Sequence, residues 1–386
     1  MRAPRLAGCL TALLIVATGA GAAPPFARPR HVSLPKDFGT IAVAAADFDG
    51  DGRVDLAVTG RTGVCVLLGD GRGGFGPCAP VAAGANPTSM AVADVNGDGR
   101  PDIVVANHET DYVTLLVNAG AERFTSRPLR LRSYPHPHAI AVGDFDRDGK
   151  PDIAVDSWGE DRVTLLFGKD DWRGPGTPVD LGTRPYHTLT AADVDGDGNV
   201  DLVAPNWGKG TVSILLGDGH GRFAHAPGSP FAAGPTPFGA AVADLNGDGR
   251  PDVVVANYAG RADATADDGL TWIRNEGNRR FTPFPMRLAG GDYSSTVATG
   301  DVNGDGIADV AFPNTNGTSV TLLFGSPDGL RGAETVATMP APYAICLADL
   351  NGDGRADLVV TSQKRDEILV FLAVRAPGAS VAARPR

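Results

Sequence analysis

The 386-residue chain is predicted to fold as an all-β, seven-bladed β-propeller with four antiparallel strands per blade. Three observations carry this. A nine-residue acidic stretch, D-x-[DN]-x-D-G-x-x-D, occurs seven times, starting at Asp47, Asp94, Asp144, Asp193, Asp244, Asp301 and Asp349. The starts lie 47, 50, 49, 51, 57 and 48 residues apart, the size of one propeller blade. Each stretch sits between short apolar runs, and no segment shows helical periodicity. A parallel β-helix would need much shorter repeats, and an α-solenoid would need helices.

Within one unit the strands read in order. An alternating apolar run precedes the acidic stretch, as in residues 89–93, 139–143 and 189–192. A second strand follows it, as in residues 103–106 and 253–256. After a short polar turn comes a third, as in residues 113–116, 163–166 and 212–215. A Gly/Asp turn leads to a weaker fourth strand, entered through an aromatic such as Phe124, Phe223 or Phe281. The seventh unit has residues 343–348, 358–361 and 368–373 but no fourth strand. Residues 31–34 precede the first unit without a blade of their own. We expect them to complete blade seven, which closes the ring and removes an open sheet edge.

The ends read differently. Residues 1–23 resemble an export signal: Arg2 and Arg5, an apolar run over residues 10–17, then Ala20, Gly21 and Ala22. Leu6, Ala7, Gly8 and Cys9 resemble a lipoprotein box, but the apolar run follows Cys9 where lipidation needs it before. The expected location is therefore secreted or periplasmic without lipid. The propeller is expected over residues 29–374 and a frayed tail over 375–386. Cys65 and Cys78 flank a strand–hairpin–strand pattern and could bridge in an oxidising compartment. Cys346 reads as a small buried hydrophobe. No later segment is apolar enough to span a bilayer, and no Lys/Arg stripe suggests nucleic acid.

Formal charge is −11, and the seven loops hold 24 of the 45 acidic residues. Seven divalent cations would offset that charge, so the acidity is ligand inventory and not a sign of a basic partner. The pattern suits a hard cation with oxygen ligands. Positions 1, 3, 5 and 9 supply Asp47, Asp49, Asp51 and Asp55 in the first copy and Asp94, Asn96, Asp98 and Asp102 in the second. They supply Asp144, Asp146, Asp148 and Asp152 in the third, and Asp193, Asp195, Asp197 and Asp201 in the fourth. The fifth has Asp244, Asn246, Asp248 and Asp252, and the sixth Asp301, Asn303, Asp305 and Asp309. The seventh has Asp349, Asn351, Asp353 and Asp357. Position 7 is Arg53, Arg100, Lys150, Asn199, Arg250, Ile307 or Arg355, with no shared side-chain chemistry. A backbone carbonyl ligand explains that indifference. Glycine at position 6 permits the sharp turn.

Calcium fits, because it takes six to eight oxygens at flexible geometry. Magnesium would want stricter octahedral geometry, and zinc would want His or Cys. An EF-hand would need Glu at position 12 between helices, whereas position 12 here is Val58, Val105, Val155, Ala204, Val255, Phe312 or Val360. Asx-rich turns without metal explain Asp and Gly, but not four fixed oxygen positions repeated seven times. We expect up to seven structural calcium ions. The third copy, with Arg147 at position 4, and the sixth, with Ile307, depart most.

On these loops the chain resembles the FG-GAP/VCBS repeat family, which includes the integrin alpha-subunit propellers and arrays in many secreted bacterial proteins. The resemblance covers roughly residues 29–374. The family's Phe-Gly/Gly-Ala-Pro signature survives only in part, at Gly74-Phe75-Gly76-Pro77 and Gly221-Arg222-Phe223. The resemblance implies the propeller and the metal, and no particular partner.

The face opposite the acidic loops gathers aromatics, His and Asn. Its candidate ligand residues are His108, His136, His138, Trp158, Tyr186, His187, Trp207 and Tyr258. That chemistry suits sugars or peptides. An equally plain reading packs the aromatics between blades and uses Asn to turn the chain. Residues 260–268 lengthen one turn of blade five. The expected function is a recognition or adhesion module for a glycan or an extracellular protein, without catalysis, as a monomer. Two alternatives stay open: a lyase-like carbohydrate-active enzyme using the His/Tyr group, and a purely structural or assembly component. No G-x-S-x-G or H-E-x-x-H motif is present.

Overall fold

A computed structural model describes residues 13–15, 25–120, 123–131, 136–157, 159–185, 188–258, 269–288 and 296–374. Its strands form seven separate sheets. Blade two is representative, with Pro87–Ala93, Asp102–Asn107, Tyr112–Asn118 and Phe124–Arg130 side by side in chain order. The pairing is antiparallel, as short connections demand. The first strands touch one another around the ring. Ala42–Ala46 of blade one contacts both Pro87–Ala93 of blade two and Pro342–Ala348 of blade seven.

The expected closure is observed. Arg30–Ser33 is the outer strand of blade seven, with His31 opposite Leu369 and Val32 opposite Ile368. The two chain ends stay paired beyond it. Phe26 bridges Ala373, and the Val374 N–H donates to the Pro25 carbonyl. Blade one departs from the regular unit. It has three strands, and its fourth position is held by the single bridges Gly69–Phe75 and Val64–Val81. Pro77 and Pro80 lack the N–H groups a ladder would use there. A disulfide joins Cys65 to Cys78, with Cα atoms 5.5 Å apart. Leu13–Ile15 pairs parallel with residues 286–288 at the edge of blade five. The rest of the predicted export signal, the 375–386 tail and the 260–268 insertion lie outside the described residues.

Seven apolar clusters form the core, one between each pair of neighbouring blades. Second strands such as Asp102–Asn107 are buried throughout, which explains their unbroken Val/Ile runs. Each fully buried Val or Leu contributes roughly 1.5–3 kcal/mol. The side chain at position 2 of every acidic loop (Phe48, Val95, Phe145, Val194, Leu245, Val302, Leu350) is at most 3% exposed. The aromatics that open the fourth strands pack onto it from the next blade. Phe124 meets Phe48 and Phe223 meets Phe145 edge to face, at 6.1 and 5.7 Å. The fourth strand reads weakly in sequence because its defining contact lies one blade away.

Candidate metal centre

The seven loops connect the first and second strands of the seven blades, so topology puts them on one face of the ring. Their local fold follows from the side chains. The position-1 Asp accepts the N–H of position 5 on Oδ1 and that of position 6 on Oδ2 in every copy. Position 5 accepts the N–H of position 7 in every copy. The loop thus wraps its own backbone donors around its acids, as Asx turns do. Position 6 has φ between 81° and 89° throughout, a region open to glycine and strained for other residues.

A second glycine carries equal weight, and the sequence reading passed over it. Position 4 is Gly50, Gly97, Gly196, Gly247, Gly304 or Gly352 in six copies, with φ between 72° and 79°. In those six its N–H donates to the position-1 carboxylate. The third copy has Arg147 there, at φ 57°.

Position 9 does two jobs. All seven of these Asp residues are fully buried. In every copy Oδ1 accepts an N–H from the end of the third strand, at 2.7–2.9 Å: Gly69, Asn118, Gly168, Gly217, Asn275, Gly325 and Ala373. In six copies Oδ2 accepts the position-2 N–H of its own loop. One carboxylate therefore ties the loop to the third strand. Burial pushes the carboxyls of Asp152, Asp201, Asp252 and Asp357 up to about 6, and that of Asp309 to about 7, against the opposing pull of those N–H bonds. Asp55 and Asp102 are raised for the same reason.

The acids also gather into groups. One oxygen each from Asp47, Asp49 and Asp55 lies within 4.8 Å of the others, and so do those of Asp144, Asp146 and Asp152 and of Asp193, Asp195 and Asp197. Two carboxylates 4 Å apart repel by about 1 kcal/mol in water and about 4 kcal/mol near a protein surface. The donor set is oxygen only, and Oδ1 of Asp146 is buried without a hydrogen bond. These residues fit a hard divalent cation with oxygen ligands.

The loops are also joined around the ring. Asn118 of blade two donates through Nδ2 to the Phe48 carbonyl of loop one, and Asn275 of blade five to the Val194 carbonyl of loop four. The Gly221 N–H of blade four reaches the Phe145 carbonyl of loop three. Any ordering of a loop is therefore felt at a blade interface.

The opposite face is arranged differently. His108 packs against His136 and His138 with ring centroids 5.2 and 4.7 Å away. Burial, then His108 and His136, push the His138 imidazole down to about 3. Trp207, Phe238 and Tyr258 form a second cluster at 5.7, 5.7 and 5.1 Å. Trp158, Tyr186 and His187 lie outside the described residues. The asparagines are internal: Asn107 donates to the Ala83 carbonyl, and Asn206 and Asn314 bond the hydroxyls of their own third strands. Their amides hold blades together and are not ligand groups. Sequence reasoning also missed Asp156. Its Oδ1 accepts the N–H groups of His138 and Ala139, where the first strand of blade three bulges. Thr59 and Thr361 accept the equivalent N–H in blades one and seven.

Comparison with known proteins agrees with this architecture. The model of the FG-GAP-like repeat matches residues 47–105, 94–155, 193–255 and 259–312, and that of the FG-GAP repeat matches 341–366. Integrin alpha-PS5 of Drosophila melanogaster is 28% identical over 150 residues, 34% of this chain and 15% of the integrin. The chain thus spans a small part of that relative. Among solved structures, an Agrocybe aegerita lectin specific for non-reducing terminal N-acetylglucosamine aligns over 80% of this chain and 81% of its own, at 20% identity and TM-score 0.53. BBS1N, solved in complex with ARL6DN, aligns over 91% and 98%, at 12% identity and TM-score 0.62. Hydrazine synthase of Kuenenia stuttgartiensis aligns over 90% and 97%, at 14% identity and TM-score 0.57. These structures share the fold. With the family models matching more than half of its length, and with seven acidic loops on seven blades, the chain belongs to the FG-GAP repeat family.

Proposed function

We propose that the protein is an exported, calcium-stabilised recognition module that binds a glycan or an extracellular protein on the face away from the acidic loops. One contrast carries this reading. The loop face repeats the same chemistry seven times, whereas the turns after the second strands carry six residue types in seven blades: Arg61, His108, Trp158, Trp207, Tyr258, Thr315 and Gln363. A scaffold needs equivalence and a selective surface needs difference.

Calcium would be held by the oxygens of positions 1, 3, 5 and 9 and the carbonyl of position 7. Bound there, it neutralises clustered acids and ties each first-to-second-strand turn. The Cys65–Cys78 disulfide supports an oxidising compartment. The lectin's preference for a terminal sugar is its own, and we extend only the sugar class. Trp207 and Tyr258 supply half-buried aromatic rings of the kind that stack on sugars.

The test is a glycan array probed with the full chain, with and without calcium. Retention of one sugar class without turnover supports the module, and Trp207→Ala should reduce that signal at least tenfold. Degradation of a bound polysaccharide would favour the enzyme, and a blank array would move the search to protein partners.

A further inference from the structure

Resting on that calcium reading, we propose that two of the seven loops carry their own cation. Lys169 and Arg279 sit on the position-3 carboxylates of loops three and four, so these loops bind a divalent cation more weakly than the other five and keep their shape without it. The observation begins with charge. Position 3 is Asp in loops one, three and four and Asn in the remaining four. The extra negative charge of Asp49 is exposed to solvent, and among the described residues no base meets it. The extra charges of Asp146 and Asp195 are buried, their side chains 6% and 1% exposed, and each is met by a base from another element.

In loop three the Lys169 ammonium lies 2.6 Å from Oδ2 of Asp146. Lys169 belongs to the turn Gly168–Asp170, whose first N–H is tied to Asp152 of the same loop. Its ammonium also lies 4.5 Å from the ring centre of Phe167. The residue at the equivalent point of the other blades is Asp70, Ala119, Asp218, Glu276, Ser326 or Val374, so a base there is particular to blade three. In loop four the base comes from the neighbouring blade. Arg279, at the tip of the hairpin between Leu270–Asn275 and Phe281–Leu288, places Nε 2.7 Å from Oδ2 of Asp195 and donates through Nη2 to Asp197 at 2.9 Å. Asn278 and Arg279 both adopt left-handed backbone, at φ 53° and 60°, which non-glycine residues adopt reluctantly.

These pairs differ from the arginine pairs of other loops. Arg53, Arg100 and Arg250 reach back two residues to the exposed outer oxygen of position 5, on their own loop. Such pairs are screened and readily exchanged. A buried position-3 carboxylate held by a base from outside the loop is neutralised in place. A divalent ion there must displace that base or share the acids with it. Loop three shows what remains for the ion. In the other six loops the position-3 Oδ1 accepts the position-5 N–H. In loop three that oxygen is buried without a bond, so it is a ligand atom with no competing partner.

The test is hydrogen exchange on the full chain, read by peptides over each loop, in calcium and in excess chelator. Chelation should speed exchange in residues 47–55, 94–102, 244–252, 301–309 and 349–357 at least about tenfold more than in 144–152 and 193–201. Lys169→Met and Arg279→Met should each abolish the protection of their own loop in chelator and leave the other loop unchanged. Lys169→Arg should retain it. Both Met variants remove exposed side chains and are expected to fold, which circular dichroism checks. An equal response in all seven loops, or Met variants that exchange like the parent, would overturn the inference while leaving calcium binding intact. No response in any loop would sink the calcium reading as well.

Discussion

The two faces of the ring are built from opposite uses of polar side chains. On the acidic face, side chains satisfy backbone donors by a rule that repeats seven times, and its departures, Arg147 and Ile307, are few. On the other face the residue that follows each second strand changes around the ring, with only Trp occurring twice. The buried residue beneath it is shared more widely, Asn in four blades and Ser in two. The difference teaches that repetition marks what holds the ring together, and that selectivity must be sought where repetition stops. It also separates residues within one loop. Position 9 ties three strands, whereas position 5 lies in solvent and bonds one exposed N–H.

That distinction gives the largest expected effect. Asp309→Ala leaves the buried N–H groups of Val302 and Gly325 without an acceptor. Each such loss costs about 1–3 kcal/mol, so a urea melt in chelator should show a loss of about 3–5 kcal/mol, and a larger one in calcium, where a ligand oxygen is lost as well. Asp305→Ala in the same loop should cost less than about 1 kcal/mol in chelator and more in calcium. Equal losses in chelator would erase the distinction.

Blade one sharpens the comparison among blades. Its fourth position has two bridges and a disulfide where other blades have a strand. Cys65 and Cys78 are 13 residues apart, a closure worth about 2–3 kcal/mol. A melt under reducing conditions should show a loss of that size, and a melt unchanged by reductant would mean the bridges alone hold the edge.

Asp156 tests the other face. Burial pushes its carboxyl up to about 7, and no charged partner offsets this. A carboxyl raised on folding binds its proton more tightly in the native state. Stability therefore falls as pH rises from about 4 to about 7. His138, held low, pulls the other way as pH falls below about 6.5. Asp156→Asn keeps an acceptor for the His138 and Ala139 N–H groups and removes the titration. The variant's stability relative to the parent should rise across that pH window, and a flat difference would contradict the assignment. The smallest stability effect belongs to Trp207→Ala. It should shift the melt by no more than about 1 kcal/mol, because the half-buried ring leaves neighbours that can close over it. A larger loss would make that cluster structural and weaken the case for a binding face.

Much of the architecture was legible because the repeat is local in sequence. The seven loops, the strand order and the closing strand, expected at residues 31–34 and observed at Arg30–Ser33, all follow from spacing and alternation. What escaped was carried by contacts between blades. Lys169 and Arg279 stand in turns that look like any polar turn, and nothing in the nine-residue pattern refers to them. The double duty of position 9 escaped for a similar reason, since its second partner is an anonymous N–H at the end of a third strand. The position-4 glycine was visible in six copies. It was overlooked because a glycine without side-chain chemistry reads as filler until its φ is known. On the far face, Asn107 and Asn206 counted toward a polar surface in the sequence, yet their amides turn inward, because sequence shows residue type and not direction.

The most direct test is thermal unfolding of the full chain in millimolar calcium and in excess chelator. A site at a hundredfold excess of ligand over its dissociation constant adds about 2.7 kcal/mol. Several such sites should raise the midpoint by more than about 10 °C, increasing with calcium concentration. Superimposable curves would contradict the account, because the seven acidic loops would then hold the ring together through their own backbone hydrogen bonds alone.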